Sequence, residues 1–208
     1  MLPAPLKSAL FALHRSQIYE PRNRRVAEGV AQRIGRAASL LDVGCGDGNT
    51  AQRVAEMVGA TDVQGVEVQI RPEQLIPIKE FDGNTLPFPD ASFDAVMIAD
   101  VLHHADNQAQ LLKECVRVAR NCVVVKDHFS FGPVSHQMLK WLDEAGNAAA
   151  SVPVRARYFT MPEFVEMVTG AGAKVAALEW PFIIHSPPWR WIMPSELQFM
   201  ARLEPTKA

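Results

Sequence analysis

The sequence predicts an α/β fold, a mostly parallel sheet covered by helices on both faces. Three observations carry this. First, LLDVGCGDGNT runs from a short apolar stretch into a loop with Gly44, Gly46 and Gly48, then into a helical pattern, with Ala51, Val54, Ala55 and Val58 at i, i+3, i+4 and i+7. Second, the apolar runs at residues 93–99 and 122–126 are nearly continuous rather than alternating, as in strands buried on both faces. Third, strand and helix patterns alternate between the glycine loop and residue 126, the order that builds a parallel sheet.

The chain has 208 residues, 48% apolar and 21% charged, which suits one domain with a substantial core. We read 1–208 as a single domain, with N-terminal helices over 1–36 and a cap inserted at 129–159. Residues 5–36 carry two apolar stripes, Leu6, Leu10, Phe11 and Leu13, then Val26, Val30, Ala31 and Ile34, with Pro21 separating two helices. The first strand covers 39–44 and its helix 49–58. The second strand covers 62–68 and ends near Glu67. Only Gln69 to Leu75 precede the next candidate strand at 77–81, so the crossover helix is truncated or replaced by a turn.

FDGNTLPFPDASFD is rich in turn residues and leads into the strand 93–99, which ends at Asp100. Asp106 is placed to cap a helix whose apolar face is Leu111, Leu112, Cys115 and Val116. The β-branched triplet Val123, Val124 and Val125 centres the strand at 122–126. In the cap, Val134, Met138, Trp141, Leu142 and Ala145 form one helical stripe, and a small-residue loop follows at 146–152. Thr160-Met161-Pro162-Glu163 is a capping-box pattern for a helix closing near Gly170 and Gly172. A strand at 174–180 and a final strand with Leu197, Phe199, Ala201 and Leu203 on one face complete the pattern.

Charge and cysteine usage narrow the partners. Net charge is −2, split as +5 over residues 1–36 and −7 over the rest. The basic segment reads as solvated helices, with no aromatic-interleaved basic run or zinc-finger spacing, so no nucleic-acid partner is expected. Three cysteines form no paired framework, which suggests a reduced, cytoplasmic protein. The first residues lack the clean apolar stretch of a signal peptide, and no run of 18 apolar residues predicts a membrane span.

In open α/β sheets ligands bind beyond the carboxyl ends of the strands. That rule gathers residues 44–48, Glu67, Asp82, Gly83, Asp100 and 126–128 on one rim. A dinucleotide fingerprint would need glycine at position 49, where Asn49 stands; the third glycine comes one residue early. The D-x-G-x-G-x-G of Asp42 to Gly48 instead resembles motif I of the class I S-adenosylmethionine-dependent methyltransferases. LPFPDxSFD followed by DVLHH is similar to their small-molecule, ubiquinone-biosynthesis-like branch. The resemblance is strongest over 38–130 and extends to 204 for topology. The family's Leu-Lys-Pro-Gly-Gly turn is absent, and Ala119-Arg120-Asn121 stands in its place.

The resemblance implies a Rossmann-like, seven-stranded sheet, mostly parallel with its last strand antiparallel. It implies S-adenosylmethionine as cofactor, S-adenosylhomocysteine as product, and in-line methyl displacement onto a small-molecule acceptor. The cofactor contacts it implies are Asp42, Gly44, Cys45, Gly46 and Gly48 along the methionyl and ribose portions, and Glu67 on the ribose hydroxyls with Val68 beside it. Asp82 and Gly83 would meet the adenine, and Asp100 the methionyl amino group and methyl. Asp82-Gly83 is also a plain turn dipeptide. Cys45 reads as a small residue that fits its loop. Tyr19 and Arg22 stand where chain order lets them close over the cofactor.

An oxygen or protonated nitrogen acceptor benefits from a base. His103, His104 and His128 are candidates. We place His128 first as catalytic residue, oriented by Asp127, and His104 second. Trp189 and Trp191 are candidates to wall the acceptor pocket. No metal is expected, because the adjacent His103 and His104 are not expected to converge on one ion. The competing functional reading is a catalytically inactive S-adenosylmethionine-binding regulatory or scaffold protein, since binding and transfer use different contacts. An NAD dehydrogenase comes third.

Overall fold

The computed structural model describes residues 15–147, 155–185, 187, 189–191 and 195–206. A π turn, Arg15–Tyr19, runs directly into α1, Glu20–Ile34. Then come β1 (Ser39–Val43), α2 (Asn49–Val58), β2 (Asp62–Glu67), β3 (Ile78–Glu80) and β4 (Phe93–Ala99). A 3-10 turn (Leu102–His104) leads to α3 (Gln108–Val118), β5 (Ala119–His128) and α4 (Pro133–Asn147). The chain continues with α5 (Met161–Gly170), β6 (Ala173–Glu179), two short 3-10 turns (Trp189–Trp191 and Ser195–Leu197) and β7 (Gln198–Pro205).

The seven strands lie in the order β3-β2-β1-β4-β5-β7-β6. The first five pair in parallel, and β7 runs antiparallel to both β5 and β6. Strand order reverses between β1 and β4, and the glycine loop and Asp100 leave the sheet there. That is the crevice an open sheet offers a ligand.

Period-two alternation divides the core between the two faces. Leu41, Val96 and Val123 pack with Leu111, Leu112, Phe164 and Phe199 on one side. Leu40, Met97 and Val124 pack with Val26, Val30, Val54 and Met200 on the other. No helix among the described residues is long and apolar enough to cross a membrane.

Several expectations need correction. Pro21 does not separate two helices. It sits in the first turn of α1, directly after the π turn, and the helical run continues through it. The stripe of Leu6, Leu10, Phe11 and Leu13 lies outside the described residues. Asn107, not Asp106, caps α3, its side chain accepting from Gln110 N at 3.1 Å. Ala119 ends α3 and begins β5 in extended backbone, so the helix enters the strand with no intervening turn.

The stripe of the cap helix α4 turns outward in part. Leu139 is its buried anchor, while Val134 is 84% and Trp141 62% exposed. Val134, Met138 and Trp141 line an apolar surface groove with Pro133 and Gln137. The small-residue loop after Asn147 lies mostly outside the described residues.

The capping box at Thr160 and Glu163 forms as expected. The turn-rich segment before β4 is pinned rather than loose. Arg117 donates to the carbonyls of Leu86 and Phe88 and to Asp90, and Glu114 accepts from Leu86 N.

Candidate functional site

The glycine loop is built on backbone that side chains resist. Gly44, Gly46 and Gly48 have φ of 73°, 60° and 85°. A Cβ on Gly44 would meet Val101 Cγ2 at 2.4 Å, so the loop also packs too closely for alanine. Glu67 fastens the loop to the end of β2. Its Oε2 accepts from Gly46 N and its Oε1 from Val68 N, each at 2.9 Å.

Asp42 lies buried beneath the loop, and burial, then Glu67 and Asp47, push its carboxyl well above the ordinary range. Burial, then Asp42 and Glu67, also raise the Cys45 thiol. A thiol held protonated fits the reading of Cys45 as a small packing residue.

Asp82 and Gly83 form the turn their dipeptide suggests. Asp82 Oδ1 accepts from Asn84 N at 2.8 Å and Thr85 N at 2.7 Å, and these bonds, Thr85 first, lower its carboxyl. Gly83 has φ 82°, and a Cβ there would sit 3.4 Å from Cγ1 of the exposed Val68. Val68 and Gly83 thus face each other across the rim with no side chain between them.

Asp100, at the end of β4, adopts φ 57°, sparsely populated for a non-glycine residue but tolerated best by Asp and Asn. Its carboxylate is held between Lys126 of β5, which is fully buried, and Arg22 of α1. Burial raises the Asp100 carboxyl, but Lys126 and then Arg22 outweigh it and hold it well below the ordinary range. His185, in the segment after β6, comes to the same corner; burial, then Arg22 and Lys126, push it down to about 4. Arg22 was expected to close over the crevice from the N-terminal side, and it reaches the end of β4. The pairing role of Lys126 was not expected, and nothing in VVVKDH signals it.

The histidines form a second cluster beside this corner. His103 Nδ1 lies 2.7 Å from Asp127 Oδ1. The same oxygen accepts from His128 N at 2.8 Å and lies 3.3 Å from His128 Nδ1. Asp127 thus meets His128 as expected and, more closely, His103, which was not expected. His103 Nε2 is 3.3 Å from Asp143 Oδ2 of α4, and Tyr158 donates its hydroxyl to that oxygen.

Burial lowers His103, but Asp127 and then Asp143 more than compensate and raise it to about 10. Burial and then Lys126 lower His128, while burial and then His103 lower His104. The adjacent histidines, expected not to converge, stand with ring centroids 4.0 Å apart. The tight turn after Asp100 brings the two rings together. His103, His104 and Asp143 offer ligand atoms all within 4.8 Å of one another, as do His103, Asp127 and His128. Asp143 and Tyr158 lie in a cap whose periodicity marked only its apolar stripe, so sequence reasoning passed over them. Trp189 is half-buried, and the side chain of Trp191 lies outside the described residues.

Sheet order, switch-point loop and rim define an α/β domain with a nucleotide-type crevice. Comparison with known proteins makes that narrower. Residues 41–122 match the family model described as methyltransferase domain. The 27-O-demethylrifamycin SV methyltransferase of Amycolatopsis mediterranei (strain S699) is 32% identical over 96 residues, 39% of this chain and 34% of that enzyme. The ubiquinone/menaquinone biosynthesis C-methyltransferase UbiE of Hahella chejuensis is 32% identical over 97 residues, 40% of this chain and 39% of that enzyme. An S-adenosylmethionine-dependent methyltransferase from Aquifex aeolicus superposes with a TM-score of 0.60 at 17% identity, covering 98% of both chains. Residues 41–122 are thus similar in sequence to the methyltransferase domain of such enzymes, and the fold is the one their solved structures share. The matched regions span 34% to 58% of the lengths of the first curated relatives.

Proposed function

We propose that the protein transfers a methyl group from S-adenosylmethionine to a small-molecule acceptor held beneath the cap. One observation carries this reading. The glycine loop, the Glu67–Val68 edge and the Asp82–Gly83 turn converge where strand order reverses, in a chain similar to these enzymes. The residues suit the donor. Bare backbone at Gly44, Gly46 and Gly48 admits close approach, with Asp42 and Cys45 packed beneath and within the loop. Glu67 offers a carboxylate to paired hydroxyls. The exposed Val68 offers an apolar face to a flat base, with the Asp82–Gly83 turn at its edge.

Bound there, the donor supplies an activated methyl on sulfur. The chain's own part is alignment and exclusion of water. Asp100 marks the reacting end, its charge balanced by Lys126 and Arg22 so that it stays ionised and fixed. His128 and His104 flank the space beyond Asp100 and are the side chains available to take an acceptor proton. The relatives' printed names, a rifamycin methyltransferase and a quinone-biosynthesis methyltransferase, favour a small organic acceptor.

Calorimetric titration with S-adenosylhomocysteine should give one saturable site, and labelled-methyl turnover against a metabolite extract should label a low-molecular-mass fraction. Absence of affinity for donor and product would remove the methyl-transfer reading. Binding without transfer to any fraction would leave a binding protein.

A further inference from the structure

We propose that His103 Nε2, His104 Nδ1 and a carboxylate oxygen of Asp143 form an open site for one divalent transition-metal cation of the zinc type. The case begins with two neighbouring nitrogens. His104 Nδ1 is buried without a hydrogen-bond partner, and His103 Nε2, on a residue 1% exposed, meets only the Asp143 carboxylate, at 3.3 Å. Buried polar atoms are nearly always satisfied, so an unpartnered imidazole nitrogen beside a histidine–carboxylate contact calls for an explanation. The three residues offer ligand atoms within 4.8 Å of one another.

Geometry and charge agree. His103 Nε2 and Asp143 Oδ2 stand 3.3 Å apart. That distance matches the edge of a tetrahedron with metal–ligand bonds of about 2 Å. Two carboxylates, Asp127 and Asp143, face the two nitrogens of one buried imidazole, and that negative charge needs a proton or a cation to balance it. The outer contacts are those a metal site requires. Asp127 fixes the far nitrogen of His103 at 2.7 Å, the carboxylate–histidine support seen behind metal-bound imidazoles, and Tyr158 holds Asp143.

Two imidazoles and one carboxylate favour zinc, cobalt or nickel over magnesium or calcium. The rival set of His103, Asp127 and His128 is weaker, because Asp127 Oδ1 is already engaged by His103 Nδ1 and His128 N. Three protein ligands leave a fourth position for water or an acceptor oxygen. A role for that position toward the acceptor rests on the proposed methyl transfer; binding of the cation does not.

The test strips the full chain with a chelator, then titrates it with Zn2+ against a chromophoric competitor and with Co2+ by visible absorption. One equivalent should bind, Co2+ should show the intense ligand-field bands of a four-coordinate site, and His104→Ala and Asp143→Asn should each weaken binding at least tenfold. Anomalous scattering at the zinc edge from wild-type crystals should place the ion between these residues even if a variant fails to fold. Folded wild-type protein that binds no stoichiometric metal, or variants that bind like wild type, would leave His103 balanced by a proton alone and overturn the proposal. S-adenosylhomocysteine titrated in parallel separates the failures: metal bound without that ligand sinks the methyl-transfer reading only, and the reverse sinks the metal site only.

Discussion

Replacing Asp100 with Asn tests the charge cluster at the end of β4. Asn tolerates the left-handed backbone at φ 57° about as well as Asp does, so the exchange removes charge with little change in strain. It leaves Lys126, which is fully buried, without its carboxylate and close to the Arg22 cation. Removing one partner of a buried pair costs about 3–5 kcal/mol. Asp100 keeps 20% of its side-chain surface and Arg22 keeps 30%, so water screens part of the loss and the lower end, about 3 kcal/mol, applies.

In a chain of this length that lowers Tm by about 6–12 °C. Lys126→Met should cost less, about 1–2 kcal/mol, because Arg22 still holds Asp100. The double variant should cost about 2 kcal/mol, less than the sum of the singles, giving a coupling of about 2–3 kcal/mol. Burial already lowers Lys126, so in Asp100→Asn it binds fewer protons folded than unfolded, and the deficit should shrink as pH rises. Denaturant titrations at several pH values measure all of this. Asp100→Asn within 1 kcal/mol of wild type, or single losses that simply add, would refute the argument.

Gly44→Ala should destabilise the fold by about 2–5 kcal/mol, from left-handed backbone strain and overpacking against Val101; an unchanged Tm would contradict the glycine-loop geometry. Glu67→Gln keeps the shape but loses charge, and calorimetry should show S-adenosylhomocysteine affinity reduced by about 1–3 kcal/mol; equal affinity would take Glu67 out of the site. Asp94 accepts from Ala38 N and Ser39 N and is lowered chiefly by the first of these, and Glu114 is lowered chiefly by Arg117. Both stabilise the fold above their ordinary values of 3.8 and 4.5, and that stability is lost as pH falls through their lower folded values. Asp94→Asn should therefore flatten the acid limb of a stability–pH curve, and an unaltered slope would count against it.

Legibility followed the range of each interaction. Strands and helices whose apolar residues repeat locally were readable: 49–58 and 93–99 match α2 and β4 to the residue. The final strand was readable from alternation, and its antiparallel pairing with β6 from the resemblance. The cap helix was placed but its buried face was not, because the exposed Val134 and Trp141 have the same spacing as a core stripe. On the rim, residues 44–48, Glu67 and the Asp82–Gly83 turn announce themselves in short motifs. The Asp100–Lys126–Arg22 cluster and the Asp127–His103–Asp143–Tyr158 chain unite residues up to 104 positions apart, and no local pattern encodes such pairings. Where adjacent side chains point depends on turn geometry, which is why His103 and His104 were misjudged.

The place of β7 bears on how the molecule can be made. Sixth in space but last in sequence, it is the slat through which β6 joins the others. Until synthesis has passed Pro205, β5 shows a bare edge to the cell and β6 has no neighbour to settle against, so the nascent chain carries a sticky, half-finished flank. Residues 198–205 thus work as a closing key, and a ribosome that stalls just before them would expose an invitation to aggregate.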